Sequence, residues 1–68
     1  MNKFKERLKE LRKERGMTRS QLAEELGISE PTISRWENGL RIPTMDSIIL
    51  LCKYFKVTSD YLIGLSDF

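Results

Sequence analysis

Histidine is absent from this 68-residue chain, and cysteine occurs once, as Cys52. A structural zinc site needs about four Cys or His ligands, so none is expected, and one thiol closes no disulfide framework. That leaves the fold to helix packing in one domain, residues 1–68, near the lower size limit for an unaided core. The thiol content fits a reducing compartment. Long apolar runs are also missing: none approaches the roughly 20 residues that span a bilayer. The opening Met1-Asn2-Lys3-Phe4-Lys5-Glu6 lacks the apolar segment of a signal peptide. A cytoplasmic protein without membrane contact is the expectation. With no histidine, no nucleophile–base pair and no glycine-rich phosphate loop, neither an enzyme nor a small-molecule cofactor is expected.

Net charge is low, +2, but it is unevenly placed. Lys3, Lys5, Arg7, Lys9, Arg12, Lys13, Arg15 and Arg19 are opposed only by Glu6, Glu10 and Glu14. From Ser20 onward four cations, Arg35, Arg41, Lys53 and Lys56, meet seven acids. A basic end on a near-neutral body steers a molecule toward a polyanion. The competing reading is a solvated helix with Glu and Lys or Arg paired at helical spacing.

Periodicity and punctuation predict five short helices and no strand. Phe4, Leu8 and Leu11 recur at i, i+4 and i+7, an amphipathic pattern that Asn2 can cap and Gly16 stops. Thr18-Arg19-Ser20-Gln21 has the spacing of a capping box. Leu22, Ala23 and Leu26 follow as one stripe ended by Gly27. Ser29 caps a third helix with Pro31 in its first turn, where a missing N–H costs nothing. Ile33 and Trp36 point inward, and Asn38-Gly39 stops it. Leu40 to Pro43 reads as a loop, because Pro43 disfavours helix at Ile42. Thr44 caps a fourth helix with Asp46 near its positive end and Ile48, Leu51, Cys52 and Phe55 buried. Thr58 or Ser59 starts a last helix holding Tyr61, Leu62 and Leu65.

The stretch from Arg19 to Trp36 is the informative one. Two short helices flank a turn of three or four residues built on Gly27. Helices crossing steeply bring their backbones close, which favours a small side chain at Ala23. So abrupt an exit calls for a left-handed residue, where glycine is least strained. Ile28, Ile33 and Trp36 fill the angle. This pattern resembles the helix-turn-helix of the Cro and lambda-like phage repressors, also called the xenobiotic-response-element family. The likeness runs through the basic first helix, Gly16-Met17-Thr18, Leu22-Ala23, Gly27-Ile28-Ser29, Ile33 to Gly39, Pro43-Thr44 and Asp60 to Gly64.

The resemblance implies a DNA-binding transcriptional regulator, a repressor by expectation, with its third helix in the major groove. Glu30, Pro31, Thr32, Ser34 and Arg35 become the base-reading candidates. Arg35 can present its fork to guanine O6 and N7, Thr32 its methyl or hydroxyl, Glu30 an acceptor for cytosine N4. The plain alternatives are an exposed arginine paired with a nearby acid at Arg35 and dipole stabilisation at Glu30. The chain departs from glutamine-rich recognition helices, since its only glutamine is Gln21, so their base code does not carry over. Arg19, Ser29, Asn38 and Arg41 are the phosphate candidates, Asn38 having a plain helix end as its alternative. The family pattern also implies an Arg12–Glu37 ion pair. Trp36 and Cys52 read as packing residues.

Tyr61, Leu62, Ile63, Leu65 and Phe68 crowd the C-terminal end. One helix face cannot turn them all inward, because Leu62 and Ile63 diverge by about 100°. Ile63, Leu65 and Phe68 are therefore candidates for a homodimer contact on a palindromic operator. Alternatively they close the core or lead into a second domain of a longer protein. A protein-interaction module of the same fold, antitoxin-like or regulator-binding, is the competing functional class. Its mark would be a third helix unable to read bases.

Overall fold

A computed structural model describes residues 3–67 as five α-helices. They are α1 (Phe4–Glu14), α2 (Arg19–Leu26), α3 (Glu30–Glu37), α4 (Met45–Phe55) and α5 (Ser59–Ile63). No strand occurs among the described residues, and the all-α expectation holds.

Local chemistry sets most of the boundaries. Thr18 and Gln21 form the capping box reciprocally, with Thr18 N donating to Gln21 Oε1 at 2.8 Å and Gln21 N to Thr18 Oγ1 at 3.1 Å. Ser29, Thr44 and Thr58 each accept from the backbone N–H three residues on, which starts α3, α4 and α5. Each such cap contributes about 1 kcal/mol.

Two boundaries differ from the sequence expectation. The N-cap of α1 is Lys3, which has no side-chain acceptor to offer; Asn2, the expected cap, lies outside the described residues. A tertiary contact stands in its place, since Lys3 N donates to the Ile63 carbonyl at 3.2 Å. The last helix also stops earlier than expected. Gly64 turns left-handed at φ +91°, so Leu65 falls beyond α5 and is 76% exposed. Its N–H closes back on the Asp60 carbonyl at 2.7 Å.

Each helix sends one wholly buried side chain to the centre: Leu8, Leu22, Ile33, Leu51 and Leu62. Burying such a residue contributes about 1.5–3 kcal/mol. Phe4 meets Trp36 edge to face at 6.1 Å, joining α1 to α3. Trp36 and Cys52 both pack as expected, Trp36 in the core and Cys52 against it. Apolar exposure gathers elsewhere, at Leu40, Ile42 and Met45 in the approach to α4 and at Ile49 and Leu50 along it.

Candidate nucleic-acid interface

The connection between α2 and α3 is three residues, Gly27-Ile28-Ser29. Gly27 adopts φ +69°, and Ile28 N donates back to the Ala23 carbonyl at 3.0 Å. Leu22, Ala23, Ile33 and Trp36 are buried across the angle, while Leu26 and Ile28 pack against that cluster half-buried. The turn therefore fixes α3 as a short rod held on one side only.

Ile33, Trp36 and Glu37 make the buried side of α3. Pro31 and Arg35 lie nearly opposite, about 40° apart around the axis, and both are exposed. Arg35 enters no ion pair among the described residues, so the side-chain pairing considered for it from sequence is not what the fold provides. Ser34 and Thr32 flank this outer face half-buried. Thr32 Oγ1 and Ser29 Oγ share a hydrogen bond at 2.7 Å. Glu30, also half-buried, sits three residues before Ile33 and leans toward the inner side.

The phosphate candidates divide into two sorts. Arg41 is exposed in the loop after α3, with no ion-pair partner among the described residues. Ser29 and Asn38 are occupied in structural roles: Ser29 caps α3, and Asn38 Nδ2 donates to the Ser34 carbonyl at 2.9 Å. Asn38 Nδ2 also lies 3.3 Å from Ser34 Oγ.

The Arg12–Glu37 pair implied by resemblance is present and buried. Arg12 Nε donates to Glu37 Oε2 at 2.7 Å, and Nη2 to Oε1 at 2.9 Å, a bidentate fork. Nη1 donates to the Met17 carbonyl at 2.8 Å, tying α1 to the start of α2. A third member was not visible in the sequence: Arg19 Nε donates to Glu37 Oε1 at 3.1 Å. Burial disfavours the Glu37 carboxylate, but the hydrogen bonds from Arg12 and Arg19 outweigh it and hold its pKa below the usual range. The same hydrogen bonding raises Arg12.

Arg7 was also missed. Counted in the basic segment, it is buried, donating Nη1 to the Tyr61 carbonyl at 2.6 Å and the Ser66 carbonyl at 2.8 Å. Its guanidinium lies over the Tyr61 ring at 4.1 Å. A signal existed: Arg7 stands three residues after Phe4 and four before Leu11, on the apolar stripe itself.

Two short helices joined by a three-residue turn, the second with one face left exposed, define a helix-turn-helix domain. Comparison with known proteins gives the family: residues 8–62 match the HTH_3 helix-turn-helix model, and the chain belongs to that family. It is 43% identical over 61 residues to the HTH-type transcriptional activator BcrR of Enterococcus faecalis, covering 90% of this chain and 30% of that protein. It is 36% identical over 62 residues to the cryptic phage CTXphi transcriptional repressor RstR of Vibrio cholerae, covering 91% and 55%. The solution structure of the SOS-response repressor LexA from Eubacterium rectale superposes with a TM-score of 0.83 at 30% identity, over 90% of this chain and 65% of that one. The chain thus spans 30% to 55% of the length of these curated relatives.

Proposed function

We propose that residues 1–68 form a sequence-specific DNA-binding domain of a cytoplasmic transcriptional regulator, acting as a repressor without enzymatic activity or cofactor. The observation that carries this reading is the outer face of α3, where Arg35 stands exposed, without an ion pair among the described residues, on a helix braced from behind by α1 and α2. In a major groove that face offers Arg35 to a guanine edge, with Thr32, Ser34 and Pro31 beside it and Glu30 at the rim. Arg19 opens α2, Ser29 and Asn38 cap the two ends of α3 and Arg41 follows in the loop, positions from which phosphate contacts would set register without reading sequence. Arg35 and Arg41 give this face donors able to reach base edges and phosphates, which favours this reading over a protein-interaction module.

Regulation in either direction occurs among the relatives, one named an activator and another a repressor. The repressor reading rests on the likeness to RstR and to the LexA domain, and on steric exclusion by a protein seated in the groove. A palindromic operator and a homodimer complete the proposal, because one recognition helix spans too few base pairs for selective binding. Leu65, exposed beyond α5, and Ile63, half-buried, support a C-terminal contact; Phe68 lies outside the described residues.

Selection of bound duplexes from a random pool tests the reading. Arg35→Ala should cost about 1–3 kcal/mol on the selected site and relax the preference at one base pair. Arg41→Ala should weaken every sequence alike and lower the salt slope by about one. An unchanged consensus with Arg35→Ala would remove Arg35 from the reading.

A further inference from the structure

Three charged side chains from three helices meet at the junction of α1, α2 and α3. Arg12 is committed: Nε and Nη2 hold the two oxygens of Glu37, and Nη1 holds the Met17 carbonyl. Arg19, the first residue of α2, reaches the same carboxylate with Nε alone, at 3.1 Å. Among the described residues, no hydrogen bond engages its Nη1 or Nη2. The Arg19 side chain is 37% exposed, while that of Glu37 is fully buried. Two cations share one anion, so the group keeps a net positive charge.

We propose that Glu37 is a positioning residue for DNA: its carboxylate anchors Arg19 by Nε so that the Nη1–Nη2 edge is presented to a backbone phosphate at the start of α2. The inference rests on the DNA-binding reading above. A guanidinium has two edges with separate donors, and an anchor on one leaves the outer edge able to grip a phosphate. A solvated arginine loses rotamer freedom when it grips an anion. Here much of that ordering is complete once the chain folds, so less remains to be lost on binding. The Glu37 bond need not break, because phosphate and carboxylate use different nitrogens. A buried acid is thereby made to assist the binding of a polyanion.

The test is a thermodynamic cycle on binding of the chain to a short duplex at fixed moderate salt. The variants are Arg19→Ala, the paired R12M/E37M, and the three changes together, each checked for folding by circular dichroism. R12M/E37M leaves the net charge unchanged and replaces a buried pair with side chains of similar volume, an exchange that buried pairs often tolerate. Positioning predicts that Arg19→Ala weakens binding several-fold in the native background and by less than twofold in the R12M/E37M background. Arg35→Ala should cost the same in both, which a general loosening of the fold would not give. Glu37→Gln provides a second background. Charge alone predicts tighter binding when this acid is neutralised; positioning predicts weaker binding by a variant that circular dichroism shows to be folded, because one amide oxygen must then serve both arginines. Equal costs of Arg19→Ala in both backgrounds, or tighter binding by Glu37→Gln, would overturn the inference and leave the DNA-binding reading standing. A native chain that bound no duplex at low salt would overturn both.

Discussion

Arg12 and Arg7 are both guanidinium groups carried into the interior, and both are matched there by fixed acceptors. Arg12 has the Glu37 carboxylate and the Met17 carbonyl; Arg7 has two carbonyls and the face of Tyr61. Arg12→Ala leaves the buried Glu37 carboxylate with Arg19 alone, so it should cost up to the roughly 3–5 kcal/mol of a broken buried pair in urea unfolding. R12M/E37M should recover much of that loss, and a cycle with no coupling between the positions would contradict the assignment. The pair also gives stability a pH dependence of known sign. The pKa of Glu37 is lowered by folding, so its contribution is complete above the ordinary carboxylate range. It is lost as pH falls through the lowered folded value. Native protein should therefore lose more stability than R12M/E37M below about pH 4, as read from urea midpoints across an acid series. Cys52 behaves differently: burial pushes its thiol up, keeping it protonated and unreactive near neutrality.

Two of the four left-handed glycines, Gly27 and Gly64, are helix C-caps, yet they constrain the elements differently. A Cβ at Gly27 would meet nothing within 4 Å. Gly27→Ala should therefore cost only the left-handed strain, about 1–2 kcal/mol, and leave the α2–α3 corner in place. At Gly64 a Cβ would stand 2.9 Å from the Lys3 backbone nitrogen. That nitrogen is also the donor that fixes the start of α1 on the end of α5. Gly64→Ala adds a clash to the strain, so its urea midpoint should fall clearly further than that of Gly27→Ala. Equal losses would mean that the close approach of α1 and α5 is not held in solution.

At the scale of the whole molecule, the basic N-terminal segment is less available than its count suggests. Arg7 and Arg12 are buried, Arg19 is shared with Glu37, and Arg15 lies over Tyr54 and Phe55 while donating to the Tyr54 carbonyl. Attraction to a polyanion then falls to Lys3, Lys5 and Lys13 in this segment, together with Arg35 and Arg41 beyond it, all exposed. Apolar exposure is likewise not confined to the C-terminal end, because Ile42 is 83% exposed in the loop before α4. The proposed dimer can be tested against both surfaces. Leu65→Glu should leave the fold intact and weaken binding to a palindrome with half-sites about 34 Å apart, while affinity for a single half-site stays nearly constant. The same loss from Ile42→Glu but not from Leu65→Glu would move the contact to the loop. A strictly monomeric species in analytical ultracentrifugation, with one half-site footprinted, would refute the dimer.

The sequence by itself determined the five helices, most of their caps and the corner at Gly27, because each depends on chemistry within a few residues. A hydroxyl at Thr18, Ser29, Thr44 or Thr58 satisfies an N–H three residues away. Helical spacing gave the central leucines and isoleucine, and the family pattern gave Arg12 with Glu37. Only the tertiary structure decided what faces what. Lys3 could cap α1 without a side-chain acceptor because α5 arrives beside it, and Leu65 was freed from α5 once Gly64 turned. Arg19 met Glu37, 18 residues away, only after the corner had brought the start of α2 to the end of α3. Helical periodicity fixes the direction of a side chain around its own axis but not the partner waiting there. A long arginine stem can end in water or in a cage of carbonyls, and the packing of the other helices makes that choice.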